Sequence, residues 1–383
     1  MKILFVSMHS IHAIRWIENL KDSPHELYFF DVTNNGALNT ITKVHQFTNW
    51  KKRKIPYIKG EYFLRKNYSN LYNLLKPYFE VTANEYLDKI IQEIQPDLIH
   101  SFEMHTCSYP ILKTMIKNRN IKWLYSCWGN DLYYNREIPK DLKTIKSMLA
   151  RIDFLHTDCE RDFKIAKVLG FKSRFFGVIP TGGGYDLAYY KKYTLPFEDR
   201  KIILIKGYEH LFGRGLNVVK ALQYANEIYI NYEVVVFGAH QEVIDFIDFN
   251  KLPFKTFGRH DLSQMELIKL MGRSILYIGN SISDGMPNTL LEAIIMQAFP
   301  IQSNPGDASA EIIENNKNGL LINDPNDIDE INEKIIFALT NLKLVKQAMI
   351  LNNEIAEQRL NYNYNQLKIE KIYSKMDCDF ISK

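Results

Sequence analysis

Two carboxylates, Asp284 and Glu292, stand eight positions apart in the segment SDGMPNTLLE, with Gly285, Pro287 and Asn288 between them. Glycine and proline predict a tight loop, and the Leu290-Leu291 pair predicts a helix running to Gln297. One carboxylate therefore falls in a loop at a helix N-terminus and the other in the first turns of that helix. Free backbone N–H groups and the positive helix end suit an anion such as a diphosphate, or the oxygens of a sugar. Glu292 is then placed to accept hydrogen bonds from a vicinal diol such as a ribose. The same residues read alternatively as an acidic cap followed by a surface glutamate.

Other chemistry-bearing residues sit at the expected ends of strands. Lys206 and Arg214 flank a glycine-punctuated loop, Gly207 to Gly215. His9 and His12 follow the first strand, and Glu103 and His105 follow another. Trp128, Asn130 and Asp131 follow a third, in Cys127-Trp128-Gly129-Asn130-Asp131. Trp128 suits stacking on a sugar face or a place in the core; Asp131 suits orienting a ligand or capping a helix. Two D-x-D strings, Asp327-Ile-Asp329 and Asp377-Cys-Asp379, are the residues that would hold a metal; the first lies at an expected helix start, where acids serve as caps. The turn after the first strand has no glycine, which excludes the G-x-G-x-x-G of a dinucleotide-dependent dehydrogenase.

The elements that position these residues alternate. Lys2 to Ser7 is a short apolar run of the kind buried on both faces of a parallel sheet. A helix with Ile11, Ile14 and Ile17 and a strand from Glu26 to Val32 complete a βαβ unit. Leu87, Ile90, Ile91 and Ile94 repeat at helical spacing before Pro96, and strands follow at Asp97–Ser101 and Lys122–Ser126. Gly182-Gly183-Gly184 marks a flexible joint. A second series begins at Lys201–Ile205, with a helix from Leu216 to Ala225, a strand from Tyr232 to Phe237, and further strands at Ile275–Ile278, Pro300–Ser303 and Gly319–Ile322. Two such series predict two doubly wound α/β domains, with ligands at the carboxyl ends of their strands.

The 383 residues suit two domains rather than one. A net charge of +4 gives no global signal for nucleic acid. Charge is uneven, however: residues 41–80 carry nine Lys/Arg against Glu61 and Glu80, including Lys51-Lys52-Arg53-Lys54, with Tyr57, Tyr62 and Phe63 nearby. Such a stretch suits either an anionic membrane surface or a solvated face. The four cysteines share no CxxC spacing, which fits a reducing cytoplasm and neither a disulfide framework nor a zinc site. No signal-peptide pattern opens the chain, and no apolar run approaches the ~20 residues of a spanning helix. Any membrane contact is expected to be peripheral, at the inner face.

The segment from Asp284 to Glu292 resembles the paired-acid signature, E-x7-E, of family 4 glycosyltransferases. Pro300–Gly306, Glu311-Ile312-Ile313 and Asn318–Pro325 resemble, in order, the strand, turn and "NGLL" segments that follow it. Ile205-Lys206-Gly207 through Gly213-Arg214-Gly215 resembles the family's donor-phosphate loop. The resemblance implies a GT-B fold, two Rossmann-like doubly wound domains facing across a cleft, with residues 1–182 binding the acceptor, 198–355 binding a nucleotide-sugar, and 356–383 crossing back as a C-terminal helix. It implies a retaining hexosyltransferase taking a UDP- or GDP-sugar as substrate, with no cofactor or metal, and a glycan or lipid-linked acceptor of cell-surface polysaccharide biosynthesis. Asp284 would hold donor-sugar hydroxyls and Glu292 the ribose, while Gly285, Met286, Pro287, Asn288, Thr289 and Leu290 approach the sugar and phosphates. Arg214 and Lys206 would face the diphosphate, and Phe257-Gly258-Arg259 the base. His9, His12, Glu103, Trp128, Asn130 and Asp131 would serve the acceptor. Two departures stand out: Asp284 replaces the usual glutamate, and Tyr208 or Glu209 falls near the place of the usual loop arginine. A nucleotide-sugar epimerase of the same fold and a non-catalytic sugar-nucleotide-binding protein are the competing readings.

Overall fold

The computed structural model describes residues 1–224 and 226–381. The chain divides into two compact units. The first comprises Met1–Thr157, Ile165–Gly177 and the C-terminal stretch from Ile369; the second comprises Asp158–Lys164 and Val178–Lys368.

The first unit is built on seven strands: β1 (Lys2–Ser7), β2 (Glu26–Asp31), β3 (His45–Phe47), β4 (Leu98–Phe102), β5 (Lys122–Cys127), β6 (Phe154–Thr157) and β7 (Arg174–Val178). Their order is β3-β2-β1-β4-β5-β6-β7. The pairs from β3 through β6 are parallel, so each connection crosses over, mostly by a helix. Ile3, Leu4, Phe5 and Val6 are wholly buried, as a strand covered on both faces requires. The helix Ala83–Ile94 starts at a capping box between Thr82 and Glu85 and buries Leu87, Ile90 and Ile94. A polar chain runs through this core. Trp16 Nε1 donates to the Tyr373 hydroxyl at 2.9 Å, His100 bonds that hydroxyl at 2.7 Å and Ser126 Oγ at 2.8 Å, and Ser126 bonds His156 at 2.8 Å. Tyr373 belongs to the helix Tyr362–Ile381, so the end of the chain completes the core of its beginning. Burial holds His100 well below the ordinary imidazole range, keeping that ring neutral.

The basic stretch folds as β3 and two helices, Glu61–Asn67 and Ser69–Phe79. Arg53 makes a bidentate ion pair with Glu61 at 2.5 and 2.8 Å, and Lys54 pairs with Glu85 at 2.5 Å. Two of the four clustered cations are therefore structural. Tyr57, Tyr62, Phe63, Leu74 and Tyr78 point outward, with Tyr57 80% and Leu74 71% exposed.

The second unit carries six strands: β8 (Ile202–Lys206), β9 (Glu233–Ala239), β10 (Lys255–Gly258), β11 (Ser274–Gly279), β12 (Phe299–Ser303) and β13 (Leu320–Ile322). Their order is β10-β9-β8-β11-β12-β13, and all neighbours are parallel. Alternate residues face opposite layers: Ile203 and Ile205 pack into one hydrophobic cluster, Ile202 and Leu204 into the other. The sheet is thus covered on both faces. Strand order reverses between β8 and β11, the position at which open α/β sheets bind ligands. The same reversal occurs between β1 and β4 in the first unit.

Among the described residues no single helix is long and apolar enough to cross a membrane. One pair bent by 90°, residues 328–340 with 342–360, passes by length and composition, but its Ile331, Ile335, Val345 and Ala348 lie in the core of the second unit.

Candidate active site

Lys206 ends β8, and the loop carrying Asp284 follows β11, so the reversal of strand order brings these two residues together. Lys206 Nζ lies 4.0 Å from Asp284 Oδ2. The Gly285 N–H donates to Asp284 Oδ1 at 2.9 Å, turning the loop into the helix Asn288–Ile295. Met286 and Leu290 are buried in the core, so their side chains anchor the loop and only their backbone is left to meet a ligand. Pro287 holds extended backbone immediately before the helix. Asn288 accepts from the Tyr185 hydroxyl at 3.0 Å and Thr289 from the Tyr277 hydroxyl at 2.8 Å. Glu292 is 4% exposed and accepts from Gln264 Nε2 at 2.7 Å.

Gly285 does more than turn the chain. A Cβ there would sit 2.5 and 2.7 Å from the two carboxylate oxygens of Asp158. Asp158 is itself 6% exposed, receives a bond from Thr181 Oγ1 at 3.2 Å, and leaves Oδ1 without a hydrogen-bond partner. Burial, reinforced by Asp162, pushes its carboxyl well above the ordinary range.

The loop between β8 and the helix Gly215–Gln223 is tightly folded. A Cβ on Gly213 would lie 2.3 Å from the Tyr208 carbonyl oxygen, and one on Gly238 2.3 Å from the Tyr208 ring. Gly238 also has φ +61, a conformation that favours glycine. The Tyr208 ring is thereby seated against β9. Lys206 Nζ lies 4.9 Å from its centroid and the Arg259 guanidinium 5.8 Å; the His210 and His240 rings are 5.7 and 5.9 Å away. Glu209 accepts from the Leu216 N–H at 2.8 Å and so serves the helix that follows.

Arg214 immediately precedes the helix Gly215–Gln223. Its Nη1 donates to the carbonyls of Gly213 at 2.6 Å and His210 at 3.1 Å, and its Nε to Asn326 Oδ1 at 3.3 Å. Its guanidinium braces the loop. Gly258 donates to Asp261 Oδ2 at 2.6 Å, and Phe257 is half-buried against the core beside Lys255. Sequence reasoning missed Tyr208, His210 and His240 as site residues; the signal available was their position directly after β8 and β9.

In the first unit, His9 bonds the Gly36 carbonyl at 2.9 Å and lies 3.4 Å from Asp31. His12 meets the half-buried Trp128 edge-on at 5.7 Å, and the Phe102 ring lies 6.1 Å from it. The Asn130 carbonyl accepts from Asn135. Asp131 does not cap its own helix. Its Oδ2 accepts from the Tyr125 hydroxyl at 2.5 Å and the N–H groups of Trp128 and Met104 at 3.1 and 3.2 Å. Burial, with the charge of Glu103 added, pushes its carboxyl up to about 7. Glu103 has φ 51 and bonds the N–H groups of His105 and Thr106. Glu103, His105 and Asp131 thus form one titratable group at the ends of β4 and β5.

Asp327 caps the helix Ile328–Thr340 through the N–H groups of Asp329 and Glu330, both at 3.0 Å. The first D-x-D is therefore a cap, and the side chains of the second, Asp377 and Asp379, lie outside the described residues.

Two family models together cover most of the chain: "Glycosyl transferase 4-like" matches residues 2–158 and "Glycosyl transferases group 1" matches residues 198–354. The chain belongs to the GT-B glycosyltransferase superfamily. Solved structures agree on the fold. A Rickettsia africae glycosyltransferase matches 98% of both chains at 17% identity and TM-score 0.65. Anabaena HepE, solved with UDP and glucose, is matched over 98% of this chain and all of its own at 15% identity and TM-score 0.69. Sucrose-phosphate synthase of Thermosynechococcus elongatus is matched over 99% of this chain and all of its own at 14% identity and TM-score 0.71. No curated protein sequence matches the chain.

Proposed function

We propose that the chain is a retaining glycosyltransferase that moves a hexose from a UDP- or GDP-sugar to a glycan or lipid-linked acceptor in cell-surface polysaccharide synthesis. The observation that carries this reading is the meeting of Lys206, Asp284, the Gly285 loop and Glu292 at the strand-order reversal of the second sheet. Negative charge grows on the departing nucleoside diphosphate as the sugar becomes cationic. Cations and backbone N–H groups already in place stabilise that charge without reorganising, often the largest catalytic contribution. Asp284 holds sugar hydroxyls, Glu292 the ribose, and Phe257 to Arg259 the base. Arg214, Lys206 and the helix end serve the diphosphate, so no metal is required. HepE holds UDP and glucose on the same fold, which favours UDP among the candidate donors. The first unit supplies the acceptor residues: Trp128 offers a ring face, with His9, His12, Glu103, Asn130 and Asp131 around it.

Titration of the purified protein with UDP-, GDP- and ADP-sugars, with and without EDTA, tests the donor half. One nucleotide class is expected to bind, unchanged by EDTA. Sugar should leave the nucleotide only when acceptor is added, and the product should keep its anomeric configuration by NMR. A folded protein that binds none of these nucleotides would sink the reading, and donor conversion without acceptor would replace it with an epimerase.

The outward aromatics of residues 41–80, together with Lys51, Lys52 and Lys59, support peripheral contact with an anionic membrane at the cytoplasmic face. Because Arg53 and Lys54 are structural, the informative variant is Lys51→Glu with Lys52→Glu. At about 1 kcal/mol per cation near the surface, anionic-vesicle binding should fall tenfold or more. Equal binding by parent and variant would remove the membrane from the proposal.

A further inference from the structure

The surroundings of Tyr208 collect donors and cations with little to balance them. Lys206, Arg259, His210 and His240 converge on the ring, and the carboxylate nearest to Lys206 is Asp284, at 4.0 Å. The two imidazoles lie 5.5 Å apart. Gathering the Lys206 and Arg259 cations on one ring is unfavourable unless an anion joins them. The strand-order reversal puts this gathering where a ligand binds.

His210 has a defined role in that gathering because its proton is assigned by the backbone. Its Nδ1 accepts from the Phe212 N–H at 3.0 Å and the Gly213 N–H at 3.4 Å. An atom receiving two N–H bonds cannot itself carry a proton, so the proton of the neutral ring sits on Nε2. Nε2 has no hydrogen-bond partner among the described residues, and neither does the His240 ring. Burial, then His240, Lys206 and Arg259, all hold His210 below the ordinary imidazole range, while Asp284 opposes them. The ring is therefore a neutral, oriented N–H donor on an exposed loop.

We propose that His210, with His240 beside it, donates to the diphosphate of the nucleotide donor, taking the place of the arginine that the resemblance leads one to expect in this loop. Arg214 stands at a different point of the loop, with its Nη1 on the carbonyls of Gly213 and His210. Tyr208, held against Gly238, is the platform that fixes the cations and imidazoles relative to one another. This inference rests on the donor reading above and deepens it.

Two substitutions separate the two faces of the ring. In His210→Asn the amide oxygen stands in for Nδ1 and keeps the loop N–H groups satisfied, but no donor reaches outward. In His210→Gln the longer amide places an N–H near the position of Nε2. Parent and variants are titrated with UDP, GDP and ADP, and with the matching nucleosides. The parent should bind one nucleoside diphosphate. His210→Asn should weaken it roughly tenfold or more, the loss of one hydrogen bond to a charged group, while leaving nucleoside affinity and melting temperature unchanged. His210→Gln should recover part of the loss, and His240→Ala should weaken the diphosphate as well. Unchanged diphosphate affinity in His210→Asn overturns the proposal while leaving the donor reading intact, as does an equal loss for nucleoside and diphosphate. A parent that binds no nucleoside diphosphate overturns both.

Discussion

Glu292→Ala should lower affinity for the nucleoside diphosphate ten- to a hundredfold without unfolding the protein. The carboxylate is nearly sealed from solvent and is oriented by Gln264 at 2.7 Å. A buried, oriented carboxylate accepting from a ribose diol makes charge-assisted bonds worth about 1.5–3 kcal/mol. The side chain lies in the first turns of the helix Asn288–Ile295, whose Leu290, Leu291 and Ile294 stay packed after truncation. Gln264 lies at the surface, so its amide finds water when its partner is removed. The decisive readout is discrimination rather than affinity alone. The parent should prefer a ribonucleotide over its 2′,3′-dideoxy analogue by a similar factor, and Glu292→Ala should bind both alike. A variant that still prefers the ribonucleotide would take Glu292 out of ribose recognition.

Gly285→Ala should cut donor turnover by more than tenfold and lower stability by about 1–3 kcal/mol, the usual cost of overpacking. The added methyl would press on both oxygens of Asp158, a side chain with no room to withdraw. The loop must then move, and Asp284 is its neighbour. Because the strain comes from one partner, Asp158→Ala in the same protein should restore much of the lost melting temperature. A Gly285→Ala protein as stable and as active as the parent would show that this approach is unimportant.

Much of the second unit was legible in the residues themselves. Runs such as Ile202–Ile205 declare strands covered on both faces, and the loop-then-helix pattern from Ser283 to Glu292 is written in its Gly, Pro and Leu positions. The helix begins at Asn288, two residues earlier than the leucine pair suggests, directly after the extended backbone of Pro287. What sequence could not supply were approaches between distant segments. Gly285 reads as a turn glycine, yet the constraint on it comes from Asp158. Arg214 reads as a phosphate cation, and its Nη1 also holds the carbonyls of Gly213 and His210. His210 and His240 belong to different strand ends, and only the pairing of β8 with β9 brings them together. In the first unit the alternatives for Asp131 were both local, whereas its partners Tyr125 and Met104 come from two neighbouring strand ends.

The chain of Trp16, Tyr373, His100, Ser126 and His156 has a consequence for biosynthesis. A ribosome delivers Trp16, His100 and His156 early, but Tyr373 only after the whole second sheet has emerged. Until then the first sheet lacks the hydroxyl that Trp16 and His100 share. N-terminal domains ordinarily settle first during synthesis. Here the first unit is left with a gap in its core that only the helix Tyr362–Ile381 fills, so nascent chains should remain open to chaperones and proteases until that helix has emerged.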